Sequence, residues 1–251
     1  MTLSDKNLIA KEQASLAAKQ LKARYDEYYP FLIDFLKRKD LFKRRISFPL
    51  LINPFPDYFA ADVRLMIVGQ ETQGWSMSNN VPHIKDEIND VRVHSLMMLY
   101  KNVCLGKDRR SPFWRFAREL NRRFNSSNEA FIWNNISKVD EQGTTPKWDV
   151  FHGSSATSSH SIINQEFEIL KPNLVVFTTG INHDNCLRAV FNGIKDEPVN
   201  EFISRLRHPL LPPHAYKTEH PLRLTINKHF NKVIDFISQE VKTKGIVTAL
   251  D

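Results

Sequence analysis

Cysteine is nearly absent from this chain. Cys104 and Cys186 are the only two in 251 residues, and neither belongs to a C-x-x-C pair. That excludes a disulfide scaffold and a four-cysteine zinc or iron–sulfur centre; the expectation is two buried thiols in a reducing compartment. No apolar run reaches the length that spans a bilayer, and residues 1–6 lack the apolar core of a signal peptide. The expectation is a soluble, cytoplasmic protein, monomeric and without a membrane partner. Glycine is scarce as well. The 8 glycines and 13 prolines are scattered rather than clustered, so no long disordered tract is expected. The histidines offer no H-x-x-x-H pair: His208, His214 and His220 are spaced by six, which does not suit zinc on one helix face. No metal or organic cofactor is expected.

What is present is an apolar fraction of 41%, enough for a sizeable core, and a basic surplus, with formal charge +7 and an isoelectric point near 9.4. A basic surplus favours polyanionic partners, nucleic acid first among them. The length fits one α/β domain with an added helical piece. Residues 1–45 read as an N-terminal helical extension and 46–251 as the α/β domain. Residues 5–29 carry helical spacing (Leu8, Ile9, Leu16, Leu21, Tyr25, Tyr28), and Pro30 is read as an interruption before a second set of turns through Leu36. Apolar runs bounded by turn residues mark four strands at 64–68, 130–133, 174–178 and 215–218. Between and after them, helices are predicted at 86–100, 111–124, 162–170, 185–191 and 226–241. Ser111 and Pro112 supply an N-cap and first turn for the second of these. Residues 153–161 are serine-rich and read as loop. Strand and helix alternate, so the expected fold is a three-layer α/β/α sandwich around a mostly parallel, four-stranded sheet, plus the N-terminal helices.

In such sheets ligands bind beyond the carboxyl ends of the strands. The residues there are Gln70 and Glu71, Asn134 and Asn135, Thr179 and Gly180, and Glu219 and His220. A strand-end carboxylate such as Glu71 orients and activates water; the same residue also serves as a helix cap or ion-pair partner. An amide such as Asn134 offers donors and an acceptor to a base edge, or closes a turn on its own backbone, with Asn135 as its rival. A histidine such as His220, followed by Pro221, hydrogen-bonds an oxygen that gains negative charge, or is an ordinary surface histidine. Trp75 and Phe151 are loop aromatics able to stack on a base or to join the core. Arg115, Arg118 and Arg122 fall on one side of a helix, which suits phosphates and equally suits a solvated face.

The order strand–Gly–Gln–Glu, strand–Asn, strand–Gly, strand–His–Pro resembles the uracil-DNA glycosylase superfamily over about residues 60–241. Its first motif is matched by Gly69-Gln70-Glu71-Thr72-Gln73-Gly74, its base-reading asparagine by Asn134 within Ile132-Trp133-Asn134-Asn135-Ile136, and its last motif by His220-Pro221-Leu222-Arg223-Leu224. His208-Pro209 matches less well, because a strand-like segment intervenes before the terminal helix. The chain looks like a divergent member. Thr72 and Gln73 stand where the branch with a Gly-Gln-acid motif has a proline and a tyrosine. That tyrosine excludes bases substituted at C5, so its absence points to a roomier pocket. Leu222 stands in place of the usual serine, and the cysteines of the iron–sulfur branch are missing.

The resemblance implies hydrolysis of the N-glycosidic bond of a nucleotide flipped out of DNA. It assigns Glu71 to water and the cationic sugar, and His220 to the base oxyanion. Gln70, Asn134, Trp75 and Gln73 would bind the base. Leu222 and Arg223 would enter the stack and backbone, with Arg115, Arg118 and Arg122 on phosphates. The implied partner is DNA, single- or double-stranded. Two substrates fit: a bulky C5-modified cytosine of phage DNA, which makes the enzyme antiviral, or uracil from deaminated cytosine, which makes it a repair enzyme. Two other classes remain: a nucleic-acid-binding module that kept the fold without catalysis, marked by salt-dependent binding and no abasic product, and a nucleoside hydrolase, which has no need of the basic surplus.

Overall fold

The computed structural model describes residues 3–38, 41, 46–72, 92–105, 110–146 and 159–245, and all structural statements concern these. The chain begins with one 36-residue helix, α1 (Leu3–Arg38). The sequence reads Pro30 as a break, yet the helix runs through it. Pro30 lies on the exposed side, while Tyr25, Tyr28, Tyr29, Leu32, Ile33 and Leu36 around it are buried. An internal proline costs about 3 kcal/mol, whereas each large side chain taken out of water returns roughly 1.5–3 kcal/mol. Burial wins, and the helix continues.

After α2 (Pro56–Ala60) comes β1 (Leu65–Gly69), then α3 (Arg92–Leu105), α4 (Pro112–Arg122) and β2 (Phe131–Asn135). The chain continues through α5 (Ser159–Leu170), β3 (Leu174–Phe177), a 3₁₀ turn (Ile181–His183), α6 (Asp184–Val190), β4 (Lys195–Asn200), β5 (Ile203–Arg207) and β6 (His214–Thr218). It ends with α7 (Pro221–Ile226) and α8 (Phe230–Lys244). Ser111 caps α4 by accepting from the Trp114 amide, with Pro112 at its first position, as the sequence predicts. Residues 226–241, read as one helix, divide between α7 and α8. Helix α5 starts at Ser159, inside the stretch read as loop.

The sheet has six strands in the order β2-β1-β3-β6-β5-β4, not four. The four predicted strands are present and pair in parallel, with Ile67 beside Trp133 on one side and Val176 on the other, and Val176 beside Tyr216. Their side chains are buried on both faces, which is why they read as apolar runs. The two unpredicted strands form an antiparallel hairpin on the β6 edge. β4 is polar and exposed, with Pro198 at a register shift. A strand that faces solvent carries no apolar signal, and proline is tolerated only on such an edge.

Helices cover both faces. Phe177 of β3 packs on Phe167 and Phe191, beneath α5 and at the end of α6, and α1 joins that layer through Tyr25 and Glu166. On the other face Trp133 meets Trp114 of α4 and Tyr216 meets Phe236 of α8. The buried residues of α1 belong to the same continuous hydrophobic core as the sheet. The direction of strand order reverses between β1 and β3, so the crevice at their carboxyl ends is the switch point where such sheets take ligands.

Candidate active site at the carboxyl edge of the sheet

Three parallel strands deliver their next residues to this crevice. Beyond β1, Gln70 donates through Nε2 to the Thr179 carbonyl, 2.9 Å away, and so ties the end of β1 to the end of β3. The backbone beyond β2 closes on the same loop: the Ile136 and Ser137 amides donate to the carbonyls of Gly69 and Gln70. Beyond β3, the Gly180 amide donates to the Thr218 carbonyl of β6 at 3.1 Å. Gly180 has φ +67°, which a side chain would strain, and it brings the chain against the backbone of His220.

Glu71 lies in this crevice with its side chain only 7% exposed. Its Oε2 accepts from the Thr145 hydroxyl at 2.9 Å. The same hydroxyl lies 3.2 Å from Nε2 of His183, which is itself 3.7 Å from Glu71 Oε2. His183 Nδ1 donates to the Thr179 carbonyl at 3.1 Å. Neither Thr145 nor His183 stands out in the sequence. His183 lies three residues past Gly180, on the 3₁₀ turn that follows the strand end. Strand-end reasoning reaches its neighbourhood but stops at the glycine. Thr145 carries no sequence signal; it arrives through tertiary packing of the loop after β2.

That loop is held by Thr72. Thr72 is buried, its hydroxyl donates to Asp140, and it shares a 2.9 Å hydrogen bond with Ser47. Asp140 in turn accepts from the Gly143 amide. Thr72 thus braces the segment that carries Thr145.

His220 is half-buried at the start of α7, where its Nδ1 accepts from the Leu222 amide at 3.3 Å. With Nδ1 an acceptor, the neutral ring carries its proton on Nε2. Burial pushes its pKa below the ordinary 6.5, against the opposing attraction of Glu71 and with the help of His183. Glu71, His183 and His220 therefore sense one another electrostatically. His208 belongs to the other end of the molecule. It follows β5, which runs antiparallel to β6, and its Nε2 donates to the Asn192 carbonyl while its ring lies against Phe191.

The two asparagines of β2 point to opposite faces. Asn134, read from the sequence as presenting its amide to a base, is fully buried in a polar cluster beneath the sheet. Its Nδ2 donates to Glu166 at 2.9 Å. Its Oδ1 accepts from Lys138 Nζ at 2.6 Å and from the Asn135 amide at 2.8 Å. Lys138 is paired with Glu166 at 2.6 Å, both side chains 0% exposed, and Tyr25 also donates to Glu166. The physical reason for the difference is the strand's period of two: Asn134 falls on the side of α1 and α5. Asn135 falls on the other side, against Gly69. Its Oδ1 accepts from the Trp133 indole N–H at 3.0 Å. An indole nitrogen only donates, so the amide orientation is fixed. Its Nδ2 is buried without a hydrogen-bond partner among the described residues. A Cβ on Gly69 would stand 2.5 Å from Asn135 Oδ1, so the glycine makes room for this amide.

Trp75, Gln73 and Phe151 lie outside the described residues. Of the arginines, Arg115 donates to Thr225 at 3.0 Å and covers the Phe230 ring. Arg118 lies over Trp114, and Arg122 lies 3.6 Å from Glu119. Arg115 thereby ties α4 to α7 and α8. Leu222 and Arg223 are exposed on α7, and Ile181 on the 3₁₀ turn and Ile226 at the end of α7 are exposed apolar side chains as well. Among the described residues, no group of three or more His, Cys, Asp or Glu is placed to hold a metal ion, and no helix is long and apolar enough to cross a membrane. Comparison of the chain with family models, with curated proteins and with solved structures gives no match.

Proposed function

We propose that this protein is a DNA glycosylase, with the α/β/α layering of the uracil-DNA glycosylase superfamily extended by the β4–β5 hairpin. The observation that carries the reading is that Glu71, after β1, and His220, backed onto Gly180 at the end of β3, are near enough to feel one another's charge. One is a carboxylate; the other is a histidine kept neutral by burial, with its remaining N–H free of the helix cap.

The chemistry follows from those two groups. The target nucleotide is flipped from the duplex at a cost of a few kcal/mol. As the C1′–N bond stretches, its electron pair moves to the base and the sugar becomes cationic. Glu71 orients a water, favours the sugar cation and accepts the water's proton. His220 donates Nε2–H to the oxygen of the departing pyrimidine. A neutral donor is suited to this, because its hydrogen bond strengthens as the negative charge develops. Asn135 supplies the base-reading amide in place of Asn134: its fixed Nδ2, without a partner among the described residues, donates to an acceptor on the base.

The substrate favoured is a pyrimidine enlarged at C5, such as the modified cytosine of phage DNA, with uracil as the alternative. Gln73 supports it, since it stands where the resembled motif carries the tyrosine that excludes bases substituted at C5. Oligonucleotides carrying uracil, thymine or hydroxymethylated or glucosylated cytosine test the proposal directly. Abasic product is expected from at least one, and Glu71→Gln and His220→Ala are each expected to lower excision by at least about 100-fold with DNA affinity little changed. Salt-dependent DNA binding with no abasic product from any of them would make the protein a binding module instead.

A further inference from the structure

The hydrogen bonds around Glu71 contain a proton count that the reaction does not by itself require. The Thr145 hydroxyl has one proton, which it gives to Glu71 Oε2. Toward His183 it therefore has only lone pairs to offer. The Thr179 carbonyl on the other side of the ring also only accepts. Both nitrogens of His183 thus face acceptors, at 3.2 and 3.1 Å, and that is the environment of an imidazolium.

We propose that His183 and Thr145 are positioning residues for Glu71: His183 carries a proton on each ring nitrogen, is anchored on the Thr179 carbonyl, and clamps the carboxylate through the Thr145 hydroxyl. The inference rests on the reading of Glu71 as the residue that acts on water. The clamp ties together the ends of three of the four parallel strands that form the site. Glu71 follows β1, Thr145 belongs to the loop after β2, and Thr179 and His183 follow β3. No bond is made or broken in it; the proton taken from water still goes to Glu71.

Among the described residues, the groups that face His183 are these. Glu71 approaches from the end of β1, Thr145 from the loop after β2, and the Thr179 carbonyl from the end of β3. His220, at the start of α7, feels the charge of His183. The adjacent Asp184 is engaged by Lys217 at 2.9 Å. The carboxylate that answers the imidazolium is therefore Glu71, through Thr145. Side-chain exposures of 15% for His183 and 7% for Glu71 keep the clamp largely out of water, where charge-assisted hydrogen bonds hold geometry best.

Two experiments test this. The first needs no substrate: ¹⁵N NMR of the histidine rings in the full-length protein at neutral pH. The expected spectrum shows His183 protonated at both nitrogens and His220 as the neutral Nε2–H form. Glu71→Gln and Thr145→Val should each return His183 to a single neutral tautomer. A single tautomer for His183 in the wild type overturns the proposal. The second is steady-state excision on whichever substrate the wild type cleaves. His183→Gln and Thr145→Val should each lower kcat by about 100-fold, the scale of a misplaced reacting group, with KM within about three-fold, and Thr145→Ser should restore it. Unchanged kcat in both variants, with their folds intact by circular dichroism, overturns the positioning role. If the wild type cleaves nothing, the glycosylase reading fails while the NMR arm still decides the proton arrangement.

Discussion

His220 carries the sharpest single-residue consequence. Burial lowers its pKa, Glu71 partly restores it, and His183 lowers it further. In the proposed reaction the neutral ring is the working form, so excision should persist as pH falls past 6.5 and fail only as pH falls through the lowered folded value. The linkage has the same sign: protonating His220 opposes folding, so the stability it contributes is present above 6.5 and is lost as pH drops below that. An NMR titration should place its midpoint below 6.5. Glu71→Gln should move that midpoint down, and His183→Gln should move it up; shifts of opposite sign contradict the electrostatic assignment. Gly69 gives a second test. An added Cβ would meet Asn135 Oδ1 at 2.5 Å and the Phe113 ring at 3.3 Å. Gly69→Ala is expected to cost about 1–3 kcal/mol in denaturant unfolding and to lower excision by displacing Asn135. The positions of Glu71 and His220 at the carboxyl edge were legible because each lies within a few residues of a strand end. Asn134 and Asn135 were legible only as a pair: two successive strand residues face opposite layers, and the sequence alone does not tell which of them faces α4.

Among the elements, the parallel strands announce themselves because both their faces are buried, and β4–β5 stays silent because its outer strand is wet and polar. Helix α1 shows the opposite failure, a strong local rule overruled by burial. Pro30 removes one backbone hydrogen bond on the exposed side of a helix whose other face is core. Pro30→Ala should therefore raise stability, by about 1–3 kcal/mol, read as a shift in the denaturant midpoint with an unchanged slope. No change would mean that α1 has adapted fully to the proline. Beneath the sheet, Lys138, Glu166, Asn134 and Tyr25 bind β2, α5 and α1 in one polar knot that spans the chain from residue 25 to 166. Partners so far apart in sequence leave no local pattern. Lys138→Met leaves Glu166 buried without its counter-charge and should cost about 3–5 kcal/mol. Lys138→Met with Glu166→Gln removes both charges and should recover much of that loss. Equal destabilisation by the single and double variants would show that packing, not charge, holds the knot.

The whole molecule adds a net charge of +7 to exposed apolar side chains on the elements that follow β3 and β6, Ile181 at 78%, Leu222 at 48% and Ile226 at 69%. These two features predict different behaviour toward DNA. Cationic contacts neutralise phosphates and act on any strand, whereas an apolar wedge fills the gap left when a base leaves a stacked duplex and has little to do on a strand already open. Arg115 already has internal tasks on α7 and α8, so Arg115→Ala mixes stability with binding. Arg223, exposed on α7 beside His220, is the cleaner probe. Arg223→Ala should weaken binding to single- and double-stranded DNA alike. It should also reduce the slope of log affinity against log salt, between about 50 and 200 mM, by about one. Leu222→Ala should leave that slope unchanged and lower excision from duplex substrate by about ten-fold or more, while single-stranded substrate is cut nearly as before. The factor follows from a wedge that offsets a few kcal/mol of unstacking. Fluorescence anisotropy and paired excision assays read both effects. If Leu222→Ala harms both substrates equally, Leu222 shapes the pocket beside His220 and does not open the stack.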